Sequence, residues 1–412
     1  MVLLPLCLAR GQQKSTILTL VSVFLSPSPS LPPSLSLSST PSTGRETIKI
    51  TPRHSLPSLL LPILLPILLP NSPMISYEGS KYHATGETAL AMLQQYGVAV
   101  LPSLLPREVC CQMEDDMWRF LHHATARCAV PMRREAETTW ETFRQLSPMH
   151  SMLLKGHGIG HSDLMWRLRE HHAVRDVFAR LHHCDVDELT TSFDGCSFAL
   201  PPSVTGNGYQ GDSWLHCDQR LSTSSFECVQ SWLTAFDVDE GDATLELLEG
   251  SHKLVGRFAS TFGHARRQSD WYKLQQHEID WYVNEQACRH VAIQCPAGSM
   301  VLWDSRTIHC GRNASMDRAN SDRKRLVAYV CMLPRSAIGS GLRSEKEREW
   351  TRRTTLAERA RMMMDKETTN HWPNERCRAT GKSRSRNNGT ILPVQDPTAL
   401  TDIGRRLSGM DV

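Results

Sequence analysis

The sequence predicts a mainly β domain under helical cover, a sandwich or jelly roll, and three observations carry that expectation. Helical spacing is concentrated between residues 85 and 183. From Leu189 onward, short runs rich in Val, Thr, Phe, Trp and Leu recur between Gly, Pro, Asp and Ser turns. Leading helices followed by many short strands suit an all-β core with helices packed on it, an α+β arrangement. The 412 residues, 40% of them hydrophobic, are enough for one large domain or two ordinary ones.

Residues 1–73 stand apart. The first acidic residue is Glu46, and Arg10, Lys14, Arg45 and many serines precede or flank it, a composition that suits an organelle transit peptide. LPSLLLPILLPILLP at 56–70 is apolar, yet Pro57, Pro62, Pro66 and Pro70 each remove a helical hydrogen bond, so no membrane span is expected. Two origins stay open: a disordered or targeting extension, or a working protein that begins at Met74. The location expected is cytoplasmic, with organelle targeting by the acid-free N-terminus as the other reading.

TGETALAMLQQYGVAVLPSLL reads as helix, strand and turn, with Gly97 stopping the helix and VAVL forming a β-branched run. PREVCCQMEDDMWRFLHHAT has helical spacing, and Val109, Met113, Met117, Phe120 and Leu121 share a face. Residues 162–183 read as a second amphipathic helical region, capped by Ser162 or Asp163. The strand-like segments ELTTSFDGCSFALPP, SFECVQSWLTAFDV, ATLELLEGS, HVAIQCPAGSMVLWDSRTIHCG and RLVAYVCMLPR follow.

Net charge is only +3, so no nucleic acid or other polyelectrolyte partner is implied. Thirteen cysteines without a C-x-x-C read as free, mostly buried thiols in a reducing compartment rather than a zinc site.

Three H-x-D spacings occur. His161 with Asp163 and His183 with Asp185 lie at the start and end of the second helical region, where capping and the helix dipole account for them. His216 and Asp218, in WLHCDQ, fall in the β region, where residues two apart share a face. A third ligand must come from another strand. His309, in GSMVLWDSRTIHCGRN, follows an apolar strand and precedes a Gly turn, a place where a side chain leaves the sheet edge. Two histidines and one carboxylate on one face give the arrangement of non-haem Fe(II) oxygenases, with positions left for a chelating co-substrate and dioxygen. 2-Oxoglutarate chelated there needs a cation for its far carboxylate, preferably arginine. Arg323 and Arg325 are the candidates, Arg325 preferred. Alternation turns Cys217 away from His216, and His252 in GSHK reads as a structural turn histidine.

WLHCDQ, VQSWLTAFDV, GDATLELLEGSHK, GSMVLWDSRTIHCGRN and RLVAYV, in this order, resemble the phytanoyl-CoA dioxygenase family of Fe(II)/2-oxoglutarate oxygenases. Residues 157–200 and TTNHWP at 368–373 are also similar to a branch of it. The resemblance implies a double-stranded β-helix of the jelly-roll, cupin-like type over 74–375, with a partly disordered tail at 376–412. It implies iron on His216, Asp218 and His309, Arg325 on the distal carboxylate, and Trp232 beside the co-substrate. It further implies hydroxylation of a small-molecule C–H bond with release of succinate and CO2, with ascorbate as reductant. Asp218 stands where related halogenases carry a small residue, which favours hydroxylation. Gly311 departs from members that place a serine two after the distal histidine. Two rivals remain: a non-catalytic jelly-roll binding protein, and a zinc hydrolase using the same three ligands. Residues 345–366 and the HWP segment are expected to lie over the barrel mouth as a lid. Substrate identity and oligomeric state are not encoded in any of these signals.

Overall fold

The computed structural model describes residues 75–337 except 207, 212, 223 and 266–270, together with 358, 372 and 400–410. The expectations for residues 1–73, for 381–390, and for a lid over 345–366 apart from Glu358 lie outside the described residues.

Strand β1 (Ser76–Glu78) leads to helix α1 (Ala89–Tyr96) and strand β2 (Val98–Leu101). Gly97 ends α1 in the left-handed conformation at φ 81°, where its N–H closes on the Leu93 carbonyl at 2.8 Å. A Cβ there would lie 2.6 Å from both His252 Nδ1 and Thr307 Oγ1, so the turn admits only glycine on two grounds. His252 is structural, as expected: its Nε2 bonds the Gln94 carbonyl at 3.1 Å and ties the G-S-H turn to α1. Helix α2 (Arg107–Ala124) buries Met113, Met117, Phe120 and Leu121, while Val109 is only half-buried and Cys110 and Trp118 complete the face.

Strand β3 (Leu153–Leu154) precedes helices α3 (Asp163–Glu170) and α4 (His172–His182). The single helical region expected over 162–183 is therefore two helices, broken at His171, whose ψ is 123°. The break serves packing. Leu168 and Val174 both sit fully buried in the main core. On one straight helix, six residues would separate them by about 120° around the axis. As expected, Asp185 caps the following turn, in a capping box with Glu188.

The remaining strands are β4 (Leu189–Thr191), β5 (Cys196–Ala199), β6 (His216–Cys217), β7 (Val229–Thr234), β8 (Thr244–Leu248), β9 (Tyr272–Lys273), β10 (His290–Ile293), β11 (Met300–Asp304), β12 (His309–Arg312), β13 (Arg325–Tyr329) and β14 (Met332–Pro334). Short helices α5 (Pro202–Thr205), α6 (Val255–Thr261) and α7 (Gln276–Asp280) interrupt them, and α8 (Asp402–Ser408) follows. One sheet runs β1-β10-β8-β12-β6-β9 and the other β2-β11-β7-β13-β5-β3. Through β5, β6, β7 and β8, and again through β10, β11, β12 and β13, the chain alternates between the sheets, and their ladders are antiparallel. That alternation is the double-stranded β-helix.

Side-chain alternation divides the apolar residues into three layers. Val98, Val100, Trp232, Leu245, Leu247, Val291, Ile293, Val301, Trp303 and Val327 fill the space between the sheets. Ala99, Leu233, Leu302, Leu326 and Ala328 point the other way, onto α2, α3 and α4. Cys217, Leu248 and Cys310 pack under α6 and α7 on the far side of the first sheet. Each fully buried indole takes on the order of 200 Å² from water, worth roughly 5 kcal/mol, so Trp232 and Trp303 anchor the inter-sheet layer. Leu407 of α8 joins the helical layer, and Trp372 packs with Cys228, Cys331 and Leu333.

One strand assignment needs correction. GSMVLWDSRTIHCGRN is two strands, β11 and β12, in opposite sheets. Asp304 drives the switch: its carbonyl and Oδ1 accept from the N–H groups of Thr307 and Arg306, each at 2.8 Å. His309 consequently opens β12, between β8 and β6, and Gly311 is a strand residue rather than a turn. Among the described residues, no helix is long and apolar enough to cross a membrane.

Candidate functional site

His216 and His309 are direct partners across the β6–β12 ladder, so both imidazoles project from one face into the space between the sheets. Asp218 follows β6 and turns to the same side. Its Oδ1 lies 3.4 Å from His216 Nε2 and its Oδ2 3.5 Å from His309 Nε2. One ligand atom from each residue falls within 4.8 Å of the others, and all three side chains are buried. The other two H-x-D pairs do not join them. His161 packs against Phe193, and His183 ends α4 at φ 52°.

Both imidazoles are held in one tautomer. His216 Nδ1 sits 3.2 Å from the Trp214 carbonyl, and His309 Nδ1 2.9 Å from the Thr307 carbonyl. A carbonyl only accepts, so Nδ1 donates in each ring and Nε2 turns its lone pair toward the cluster. Asp218 Oδ2 also accepts from Gln230 Nε2 at 2.8 Å, and Gln230 donates to the Trp372 carbonyl at 2.6 Å. Gln219 locks the segments that carry the ligands: Ser305 Oγ donates to its Oε1 at 2.9 Å, and its Nε2 donates to the Ser225 carbonyl at 2.6 Å. Two histidines and a carboxylate oriented this way suit a divalent transition metal.

A column of rings runs through the cluster. His150 stacks on Trp214 at 3.9 Å, Trp214 stacks on His216 at 4.9 Å, and Trp271 leans on the same imidazole at 5.5 Å. Trp214 Nε1 donates to the Gly311 carbonyl at 2.8 Å. A Cβ on Gly311 would meet Trp214 and Met152 at 3.4 Å each, ordinary van der Waals contact.

Arg325 and Arg323, equivalent by sequence, are separated by their surroundings. Arg323 is taken by Asp239 and Asp242, at 2.7 and 2.6 Å. Arg325 is buried on the inner face of β13. Its guanidinium donates to Ser197 Oγ at 3.1 Å and to the Ala243 carbonyl at 2.6 Å, and it lies 5.8 Å from the Trp232 ring. Among the described residues no carboxylate pairs with it. Desolvation holds its pKa below the ordinary arginine value, with the Tyr329 hydroxyl partly opposing. Among the described residues, the indole N–H groups of Trp232 and Trp303 are buried without a partner in the same layer, and Trp303 lies 5.3 Å from His309. A buried cation with no counter-charge and two unpaired donors suit an anionic co-substrate. Gln230, Ser197 and Tyr329 escaped sequence reading. The alternation of VQSWLT, which puts Gln230 and Trp232 on one face, is the signal that would have found the first.

A β-helix with two imidazoles and a carboxylate converging between its sheets defines the class of cupin-like metal proteins. The sequence profile of phytanoyl-CoA dioxygenase (PhyH) matches residues 93–320, more than half of the chain, and the chain belongs to that family. Ava biosynthesis cluster protein O of Aspergillus versicolor is 28% identical over 200 residues, which cover 46% of this chain and 61% of that protein. The chain thus spans less than two thirds of that relative's length. Among solved structures, the non-heme alpha ketoglutarate dependent epimerase SnoN is 15% identical at a TM-score of 0.33, covering 60% of this chain and 82% of its own. The carbocyclase SnoK is 14% identical at 0.36, covering 60% and 85%. The non-heme monooxygenase ThoJ is 12% identical at 0.35, covering 59% and 75%. At these TM-scores the likeness says nothing about the reaction.

Proposed function

We propose that this chain is an Fe(II)- and 2-oxoglutarate-dependent dioxygenase that hydroxylates a C–H bond of a small molecule and releases succinate and CO2. The observation behind this reading is the pairing, within one inter-sheet layer, of a His/Asp/His cluster with a buried arginine that has no carboxylate partner among the described residues. His216, Asp218 and His309 would hold the metal, and Arg325 the distal carboxylate of 2-oxoglutarate, with Trp232 flanking it. The bound iron supplies the oxidising chemistry and a chelating position for the keto acid. The protein's own work is orientation and exclusion of water. The carbonyls of Trp214 and Thr307 fix the ring tautomers, Gln230 aims the carboxylate, and the burial of Arg325 strengthens its attraction for an incoming anion. Ascorbate would serve as reductant.

The test is anaerobic Fe(II) binding followed by 2-oxoglutarate consumption and succinate release in air with ascorbate. The wild-type chain is expected to bind one Fe(II) and to turn over 2-oxoglutarate, at least uncoupled from substrate. His309→Ala is expected to lose both. Turnover retained in that variant removes His309 from the ligand set. Purification with zinc and no dependence on 2-oxoglutarate would instead favour the hydrolase.

A further inference from the structure

The ring column has two exposed ends, and the groups around them share a chemistry that the metal centre does not use. At one end stands His150, in a turn where His150 and Ser151 both hold positive φ, 51° and 64°. At the other stands Trp271, also left-handed at φ 57° and 44% exposed, with its backbone N–H donating to the Asp218 carbonyl at 3.3 Å. A large indole kept both strained and in water beside a metal cluster is a feature folding alone would not favour. Met149, next to His150, is 52% exposed.

Lys273 brings a positive charge to this mouth. Lys273 pairs with His216 across the β6–β9 ladder, and His216 pairs with His309 across β6–β12. The three side chains therefore form one row on the inner face, and the row ends in an exposed ammonium at the edge of the sheet. Desolvation first, then His216, Lys273 and Lys155, lowers the pKa of His150.

From the exposed indole, the stacked His150–Trp214 pair and the ammonium of Lys273, the geometry points to a planar aromatic anion as the substrate class of this site, an inference that rests on the metal-centre reading above. A flat ring system gains from offset or edge contact with indole and imidazole faces, which a saturated chain cannot match. An acidic substituent gains a charge-assisted hydrogen bond from Lys273, which a neutral ring cannot accept in that form. Lys273 and Trp271 are the specificity-determining residues: the first reads charge, the second reads the ring.

Calorimetric titration of the full chain tests this with three probes: 2-naphthoate, its neutral amide 2-naphthamide, and the ring-free anion octanoate. 2-Naphthoate is expected to bind about tenfold tighter than 2-naphthamide and several-fold tighter than octanoate. Lys273→Gln should bring the first ratio close to one and leave the second standing, and Trp271→Ala should do the reverse. Both positions are exposed, so the variants are expected to fold. Equal binding of the amide or of octanoate, no saturable binding of 2-naphthoate, or ratios unmoved by the two substitutions would overturn the assignment. Each titration is run with and without Co(II) and 2-oxoglutarate. Selective 2-naphthoate binding in a chain that takes up no Co(II) would sink the metal reading alone. Normal Co(II) uptake with no selectivity would sink the substrate class alone.

Discussion

Replacing Gln230 by leucine isolates what holds Asp218 in place. The glutamine is 1% exposed, and its single Nε2 donates to Asp218 Oδ2 at 2.8 Å and to the Trp372 carbonyl at 2.6 Å. Leucine has a similar volume and donates nothing, so packing is largely kept while both hydrogen bonds vanish. A hydrogen bond to a charged group is worth about 1.5–3 kcal/mol, and each 1.4 kcal/mol is about a factor of ten in affinity. Gln230→Leu is therefore expected to weaken Fe(II) or Co(II) binding by about ten- to a hundredfold, the range typical when a metal ligand loses its supporting partner. Loss of the Gln230 donor to the buried Trp372 carbonyl should lower folding stability by about 1–3 kcal/mol as well. Anaerobic calorimetry with Co(II) reads the first effect and urea denaturation of the metal-free chain the second. Unchanged Co(II) affinity together with a lowered urea midpoint would refute the reasoning, since Gln230 would then be a core hydrogen bond with no hold on the carboxylate.

Other substitutions and conditions give separate checks. Arg325→Met should weaken 2-oxoglutarate binding to the metal-loaded protein by about ten- to a hundredfold. Arg323→Met, whose guanidinium is already committed to Asp239 and Asp242, should leave it unchanged; the reverse pattern would reassign the anchor. Burial drives the thiol pKa of Cys217 and Cys310 upward, while Cys111 is exposed. A thiol reagent should therefore label Cys111 in the native protein and reach the other two only after denaturation, as peptide mapping would show. Desolvation, partly offset by its bond to the Met332 carbonyl, lowers the pKa of His182 below 6.5 in the folded chain. The unfolded chain then binds the proton more readily, so stability is full above about pH 6.5 and falls as the pH drops toward the folded value. Urea midpoints at pH 7.5 and 5.5 should show that loss, and His182→Gln should make it smaller.

The fold was legible because its signals are local and periodic. Val98–Leu101, Val229–Thr234 and Arg325–Tyr329 form strands where β-branched and aromatic runs stand between turn residues. Gly97 stops α1 as its backbone freedom predicts. What escaped was non-local. The break at His171 answers to the orientation of Leu168 and Val174 in a shared core, and no residue in EHHA announces it. The passage from β11 to β12 looks continuous in hydropathy, because a chain that changes sheets keeps both its strands apolar. Arg323 and Arg325 share one strand period, and only the distant Asp239 and Asp242 tell them apart. The candidate cluster itself could be narrowed from three H-x-D pairs to one because two of them fall at helix ends.

The ladder pairing of His216 with His309 has a consequence for how the protein comes into being. The two imidazoles meet only after a long stretch of intervening chain has folded back, and the pairing strand β6 is just two residues long. A slip of a single position would swing His309 to the outer face, beneath α6 and α7, where Cys310 now sits. Competence to hold an ion is thus all-or-none during biogenesis: a nascent chain still short of β12 has half a site, and a misregistered one has none. On the proposed assignment, metal capture by the finished protein would double as a check that its strands have been threaded correctly.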